Sequence, residues 1–382
     1  MDASNLYQYG RYAASLIASV SDDTTPPEPS FEINWDTLYD FAIEQNISAL
    51  ILPAIKKLNI PAEVFEKFDK DKYQKMAREA RMCIEAQNVF DALSQNDIDY
   101  IKMKGIVIKD FYPLSYMRTF GDIDLYVGEI DRGQVKSVME NLGYKAEHSN
   151  ESHDGYEKGR FSFEMHSSIL PKHYRDILSK PFEHSENDCA DPHSFVLEKN
   201  YFYLHLITHL YKHFAFGGCG IRLYCDLYFF EKAHPDLDFD FIEATLKKYN
   251  FDEFYTHTKK LLEIFFCGGE SDERYDLIMD YIFANGVQGD QDLMRMHENH
   301  RLRFIDKVQF IAHNWFGYEI LSLKYPTLKK APVLLPVFWV VRLVDPLFRN
   351  RKVVKARAED LKIMNSKKFK DAKTARELVG IK

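Results

Sequence analysis

The chain has 382 residues, of which 46% are hydrophobic, 28% charged and 14% aromatic, a composition typical of a globular protein with a large core. This composition excludes a wholly disordered chain, a collagen-like chain and a polytopic membrane protein. A formal net charge of −8 argues against a global basic surface, so we expect no strong nucleic-acid binding. The five cysteines lack a metal-binding spacing and the N-terminus lacks a signal-peptide pattern, which together predict free thiols and a cytoplasmic location.

Residues 1–97 are predicted to form an N-terminal helical domain. Apolar residues recur every three or four positions in Asn34–Leu58 and in Pro61–Leu93, which is the period of an amphipathic helix. The segment Ser21–Ser30 is polar and proline-rich and is predicted to be a loop.

Residues 98–197 have the pattern of a small α/β core. Strand-like runs occur at Tyr100–Met103, Asp122–Val127, Tyr144–Glu147 and Arg160–His166. Helix-compatible stretches lie between them, at Gly105–Tyr112 and Asp131–Leu142. The connections are too short for a full dinucleotide-binding domain, so we expect a small sheet.

Residues 198–330 return to a helical period and are predicted to form a second helical domain. The predicted helices are Glu198–Phe216, Ile221–Ala233, Asp240–Tyr249, Glu253–Phe266 and Arg301–Trp315. The segment Asn285–Gly289 is predicted to be a loop.

Residues 331–382 are predicted to form an apolar strap followed by a basic C-terminal helix. Ala331–Val341 is apolar but has 11 residues, whereas a membrane span needs about 20. Residues 342–382 carry 13 lysines and arginines against 5 acidic residues, which leaves −16 on the rest of the chain. Apolar and basic residues together also suit a peripheral contact with an anionic membrane. We favour the strap, because prolines interrupt any long amphipathic helix in this segment.

The run Gly121–Val127 (GDIDLYV) places two carboxylates side by side. On a strand, Asp122 and Asp124 face one side while the apolar residues between them face the other. Two neighbouring carboxylates repel each other unless a cation lies between them. This arrangement suits Mg²⁺, which binds one or two carboxylates together with substrate phosphate oxygens.

A third carboxylate comes from the alternating run Arg160–His166 (RFSFEMH). Glu164 and His166 share one face of this strand, opposite Phe163 and Met165. If this strand lies beside the first, Glu164 joins the two aspartates. Three carboxylates can hold two metal ions, an arrangement that activates an attacking oxygen and stabilises a leaving one.

Lys104 and Gly105 end one strand and begin a predicted helix. A glycine there allows backbone amides to approach a phosphate, and the helix N-terminus favours an anion. Lys102, Lys104 and Arg118 add positive charge to the same region.

These motifs resemble the polymerase-β nucleotidyltransferase superfamily, and most of all the bacterial uncharacterised nucleotidyltransferase family, which is often linked to polysaccharide or peptide biosynthesis. The resemblance rests on Lys-Gly, a spacer, Arg, Gly-Asp-Ile-Asp-Leu and the Glu-Met-His strand, and it extends over most of the chain. One departure is that Lys104-Gly105 stands where the superfamily usually has Gly-Ser.

The resemblance implies an α+β fold in which helical N-terminal and C-terminal domains flank a small mixed, polymerase-β-like sheet. It also implies transfer of NMP from an NTP to an acceptor hydroxyl, of a sugar, a small molecule or a protein, with release of pyrophosphate. The implied cofactor is Mg²⁺ or Mn²⁺, held by Asp122, Asp124 and Glu164. The implied nucleotide-binding residues are Lys104, Gly105, Arg118 and Gly121.

Two other functions fit parts of the pattern. A glycosyltransferase also uses a DxD motif for a metal, but it needs a nucleotide-binding α/β layer before that motif, where this chain is helical. A catalytically silent nucleotidyltransferase fold, used as a binding module, is consistent with the altered Lys-Gly loop. Three unbalanced carboxylates argue against the silent module.

A histidine recurs every fourth residue at 205, 209 and 213, on one face of a predicted helix. These histidines could bind zinc with Cys219, Cys225 or Asp226, or simply form a half-buried helix face. We favour an intermediate interpretation, in which a cleft between the helical domain and the sheet is lined by His166, His209, His213, Arg222 and Asp226.

Overall fold

The computed structural model describes residues 3–128, 132–149, 152–170, 175–188, 191–286, 335 and 366–381. The chain divides into one unit of residues 1–289 and 377–382, and a second of residues 290–376. In the second unit, the described residues are Leu335 and 366–376. The finer division into four domains stays a prediction.

The helices of the described residues are α1 (Ala3–Ser21), α2 (Trp35–Glu44), α3 (Ser48–Ile55), α4 (Ala62–Gln95), α5 (Gly105–Ile108), α6 (Arg132–Asn141), α7 (Lys199–Phe216), α8 (Arg222–Ala233), α9 (Phe239–Lys248), α10 (Asp252–Phe266), α11 (Glu273–Ala284) and α12 (Lys367–Leu378). The strands are β1 (Tyr100–Lys102), β2 (Ile123–Tyr126), β3 (Lys145–Ser149), β4 (His153–Lys158), β5 (Phe161–His166), β6 (Ser185–Asn187) and β7 (Ser194–Leu197). The sequence patterns missed α11, β4, β6 and β7. The predicted helix Arg301–Trp315 and most of the strap lie outside the described residues.

The predicted helix over Asn34–Leu58 is wrong in one respect, because the chain turns between α2 and α3. Asn46 adopts a positive φ of 54°, a conformation in which a helix cannot continue. The Asn46 side chain hydrogen-bonds the Thr119 hydroxyl, with its Nδ2 donating at 2.7 Å. The predicted helix Gly105–Tyr112 is likewise shorter, since α5 gives way to a 3₁₀ turn at Lys109–Phe111.

The strands form one mixed seven-stranded sheet in the order β3-β4-β5-β2-β1-β7-β6. The pairs β2–β5 and β1–β7 are parallel, and the other neighbours are antiparallel. The predicted α+β class with a mixed sheet is therefore confirmed, while its polymerase-β-like character stays a prediction.

One face of the sheet is the core of the α/β region. Ile123, Leu125, Phe163 and Met165 are buried on this face, as the alternation predicted. They belong to one apolar cluster with residues of α4 and α6, including Val89, Leu93, Val135 and Met139. The opposite face therefore carries the polar residues of the same strands.

A buried amide ties three helices together beside the sheet. Gln45, at the end of α2, donates from Nε2 to the carbonyl oxygens of Phe283 and Asn285, at 3.1 and 2.9 Å. Its Oε1 accepts from the backbone N–H of Ile221 at 2.9 Å, just before α8. All three groups are buried, so this one side chain satisfies them without water.

No helix within the described residues is long and apolar enough to cross a membrane. The four cysteines among those residues, Cys83, Cys219, Cys225 and Cys267, are free thiols as predicted.

Candidate active site

A stripe of titratable side chains crosses four strands on the polar face of the sheet. The register sets Asp124 of β2 opposite Glu164 of β5, and His166 of β5 opposite His153 of β4. His148 of β3 lies opposite Gly155, which is itself opposite Glu164. Residues that are paired across strands share a face, so the register alone gathers these groups into one site. Strand β5 thus lies beside β2, the Gly-Asp-Ile-Asp strand, which is the neighbourhood that Glu164 needs in order to join the two aspartates.

His166 lies at the centre of a cluster of three potential metal ligands. Its Nε2 is 2.9 Å from Asp124 Oδ1 and 3.2 Å from Glu164 Oε2. One ligand atom from each of these three residues falls within 4.8 Å of the others, a spacing that suits a metal ion. Lys104 Nζ approaches the same Asp124 oxygen at 2.5 Å. Two basic side chains, those of Lys104 and His166, thus contact the same oxygen of Asp124.

The charges of this cluster are set by their mutual contacts. Burial alone would raise the pKa of Asp124, but Lys104 and His166 outweigh it and hold that pKa far below its usual range. The hydrogen bond from His166 lowers the pKa of Glu164. Burial would lower the pKa of His166, but its hydrogen bonds to the two carboxylates raise it. The cluster therefore favours ionised carboxylates beside a protonated imidazole and a protonated lysine.

Asp122 lies at the edge of this cluster. Burial and the neighbouring Asp124 carboxylate raise its pKa, with Glu164 adding to the effect. Among the described residues, the three-ligand group around Asp124 contains His166 and not Asp122. The role of Asp122 as a metal ligand stays a prediction, and His166 is a ligand candidate that the sequence placed only in the cleft.

Gly105 and Arg118 are packed into the protein interior. A Cβ on Gly105 would come within 2.6 Å of Phe120 Cβ, so glycine is required there by close packing. Arg118 donates from Nε and Nη2 to both oxygens of Asp226, at 2.9 and 2.7 Å, and from Nη1 to the Thr119 carbonyl. A phosphate contact for either residue stays a prediction. Lys102 forms an ion pair with Asp188.

A polar cavity of about 750 Å³ opens beside Gly121. Its lining includes three cations, Lys75, Arg78 and Arg222, and two acidic residues, Glu44 and Asp71. Asp71 pairs with Lys75 at 3.0 Å. Arg222 also interacts with Asp122, and burial together with Arg118 lowers its pKa to about 10. Gly121 is exposed, and among the described residues, apart from its chain neighbours, none has an atom within 4 Å of a Cβ built on it. Sequence reasoning missed Lys75 and Arg78, because basic residues on an amphipathic helix are ordinarily solvated.

Helix α7 brings the predicted histidines close to the stripe. His205 is 2% exposed, and neither of its ring nitrogens has a hydrogen-bond partner among the described residues. Burial, with Lys104 adding to it, lowers the pKa of His205 to about 3. The same causes hold the pKa of His213 at about 3 and that of His209 well below its usual value. Within the described residues, these histidines form no three-ligand group with a cysteine or carboxylate, so nothing supports the zinc interpretation.

Sequence reasoning also missed His148 and His153. The strand β4 was not predicted, which left His153 unplaced, and the strand predicted over Tyr144–Glu147 ended just before His148. The run His153–Lys158 has one large apolar residue, Tyr156, so it lacks the alternation of polar and apolar residues that would have predicted a strand.

Comparison with known protein families supports the resemblance that the Gly-Asp-Ile-Asp motif indicated. The model of a family described as "Uncharacterised nucleotidyltransferase" matches residues 32–266 of this chain. The match includes α2 to α10 and the whole sheet. No curated protein and no solved structure matches the chain.

Proposed function

The chain belongs to the uncharacterised nucleotidyltransferase family, and from this premise we propose that it transfers NMP from an NTP to an acceptor hydroxyl and releases pyrophosphate. The observation that carries this proposal is the pairing of Asp124 and Glu164 on adjacent parallel strands. Their carboxylates share one face of a rigid sheet, where a nucleotide phosphate can be held in a fixed position.

The donor set of the stripe fits a divalent cation. Asp122, Asp124 and Glu164 offer the oxygen ligands that Mg²⁺ prefers, and the imidazole of His166 also suits Mn²⁺. A bound ion would neutralise charge on the phosphates and polarise the phosphorus–oxygen bond under attack. His166 can bind such an ion only as the neutral imidazole, so metal binding there would release a proton, while Lys104 would keep its contact with Asp124.

Exposure separates the roles of the carboxylates. The Asp124 side chain is 3% exposed, whereas that of Glu164 is 23% exposed. We therefore assign Asp124 to anchoring and orienting Lys104 and His166. Glu164 can reach an incoming hydroxyl and is assigned to accept its proton.

The cavity beside Gly121 suits the triphosphate of the donor. Lys75, Arg78 and Arg222 supply positive charge, and the open backbone at Gly121 allows a phosphate to approach closely. The charge of Asp122 acts to raise the pKa of Arg222, so the cavity lies near the carboxylates of the cluster. A phosphate chain lying between the cavity and β2 would therefore contact both sets of residues.

Calorimetric titration tests the proposal without a known acceptor. ATP, GTP, CTP, UTP and UDP-sugars are titrated with and without Mg²⁺ into the wild type, Asp124→Asn and a control, Asp110→Asn. Asp110 is an exposed aspartate that pairs with Lys109, so its change leaves the site intact.

We expect metal-dependent binding of at least one NTP by the wild type and the control, and loss of this binding in the Asp124 variant. Absence of NTP binding by the wild type would contradict the proposal and favour a silent binding module. Heat from a UDP-sugar alone would favour a glycosyltransferase.

A further inference from the structure

We propose that His148, His153 and Glu164 form a transition-metal site that adjoins the Asp124 cluster and shares Glu164 with it. His148 Nε2 lies 3.2 Å from His153 Nε2, and His153 Nε2 lies 3.9 Å from Glu164 Oε1. The three ligand atoms all fall within 4.8 Å of one another. The proposal goes beyond nucleotidyl transfer and does not depend on it.

The spacing matches metal coordination. With metal–nitrogen bonds of about 2.05 Å, two ligands of a tetrahedral ion lie about 3.3 Å apart. The two imidazole nitrogens already have this separation. Glu164 Oε1 lies 3.9 Å from His153 Nε2, and the three ligand atoms lie within 4.8 Å of one another, so the carboxylate must approach His153 by about 0.6 Å and His148 by at most about 1.5 Å.

The absence of a side chain on Gly155 leaves space for the imidazole ring of His148. A Cβ on Gly155, the residue directly opposite on β4, would come within 2.2 Å of His148 Cε1. Any larger residue would therefore push the ring away from His153. The register between β3 and β4 also shifts between Ala146 and His148, and such a bulge re-aims the side chains that follow it. Two backbone features thus hold His148 over the strand that carries His153.

The contacts of the ligands favour a transition metal. Two imidazoles and one carboxylate form a ligand set of zinc sites that keep an open position, whereas Mg²⁺ prefers oxygen alone. Ser152 Oγ lies 3.3 Å from His153 Nδ1, a hydrogen-bonding position that orients the ring with Nε2 toward the site. Glu164 directs Oε1 to His153 and Oε2 to His166. A single carboxylate therefore joins this site to the Asp124 cluster.

Cobalt titration tests the site directly, because Co²⁺ in a four-coordinate protein site absorbs visible light intensely. Full-length wild type is titrated with Co²⁺, and Zn²⁺ is then added in competition. The variants are His148→Gln, His153→Gln and Gly155→Ala, with His184→Gln as the control. His184 stacks on Tyr201 and has no part in the site.

We expect one equivalent of Co²⁺ to give this absorption in the wild type and the control, and Zn²⁺ to displace it. Each of the three site variants should bind Co²⁺ at least about tenfold more weakly. Gly155→Ala is informative because it keeps all three ligands and only adds a methyl group where the His148 ring lies. Far-UV circular dichroism and thermal melting check that each variant is folded.

Asp124→Asn separates this inference from the proposed function. It should lose Mg²⁺-dependent NTP binding and keep the Co²⁺ spectrum. Absence of the spectrum in the wild type, its persistence in both histidine variants, or its loss in Asp124→Asn would each overturn the inference. None of these results depends on whether an NTP binds.

Discussion

The ion pair of Arg118 and Asp226 offers a sharp test of how the sheet region is joined to the C-terminal helices. The guanidinium and carboxylate side chains are 6% and 4% exposed and meet in a two-pronged contact. Tyr112 donates a further hydrogen bond to Asp226 at 2.6 Å. The contact joins residues that are 108 positions apart in the sequence.

The perturbations are Arg118→Met, Asp226→Leu and the double variant. Each single change leaves a buried charge without its partner, which costs about 3–5 kcal/mol of unfolding free energy. The double variant leaves no buried charge from this pair, and its main penalty is the unpaired Tyr112 hydroxyl, worth about 1–3 kcal/mol. We therefore expect the double variant to be more stable than either single variant.

Equilibrium urea unfolding at 25 °C measures all four proteins in a double-mutant cycle. The exposed pair Lys180–Glu183, whose side chains are 68% and 60% exposed, serves as the control. Its coupling free energy should stay below about 1 kcal/mol. Single variants that lose less than about 1 kcal/mol, or a double variant whose loss equals the sum of the two singles, would refute this reasoning.

Three further predictions concern packing, acid stability and buried hydrogen bonding. Gly105→Ala should lose about 1–3 kcal/mol of unfolding free energy, because its Cβ would overlap Phe120. Gly121→Ala should change that free energy by less than about 0.5 kcal/mol, because its Cβ meets none of the described residues beyond its chain neighbours. Equal losses in urea unfolding would contradict this. The low pKa of His205, about 3, keeps it neutral in the folded state, whereas the unfolded chain binds a proton below pH 6.5. The free energy of unfolding should therefore fall as the pH drops from 6.5 to 3, and His205 should account for about 2 kcal/mol of that loss at pH 5. His205→Leu should make the pH profile of unfolding flatter. An unchanged slope would count against a buried neutral imidazole. Gln45→Leu should lose about 3 kcal/mol or more of unfolding free energy, because it leaves three buried backbone groups unpaired. A loss under about 1 kcal/mol in thermal or urea unfolding would contradict that account.

Much of the local structure could be predicted from periodicity. The long helix α4 and the histidine-bearing α7 match their predicted ranges to within two residues. The same is true of β2 and β5, since alternation of polar and apolar residues assigns each side chain to a face. The short strands β6 and β7 could not be predicted, because three or four residues carry too little pattern.

Alternation of polar and apolar residues is a local property of the chain, and it was enough to assign Asp124 and Glu164 to polar strand faces. Which of these faces lie side by side depends on how whole strands pair in three dimensions. The parallel register of β2 and β5 sets Asp124 beside Glu164, and the register of β3 and β4 lays His148 over Gly155. Likewise, Arg118 meets Asp226 and Gly105 meets Phe120 through packing between distant segments. Such contacts depend on the pairing of whole elements, whose burial and hydrogen bonding are optimised together, and no local spacing in the sequence encodes them.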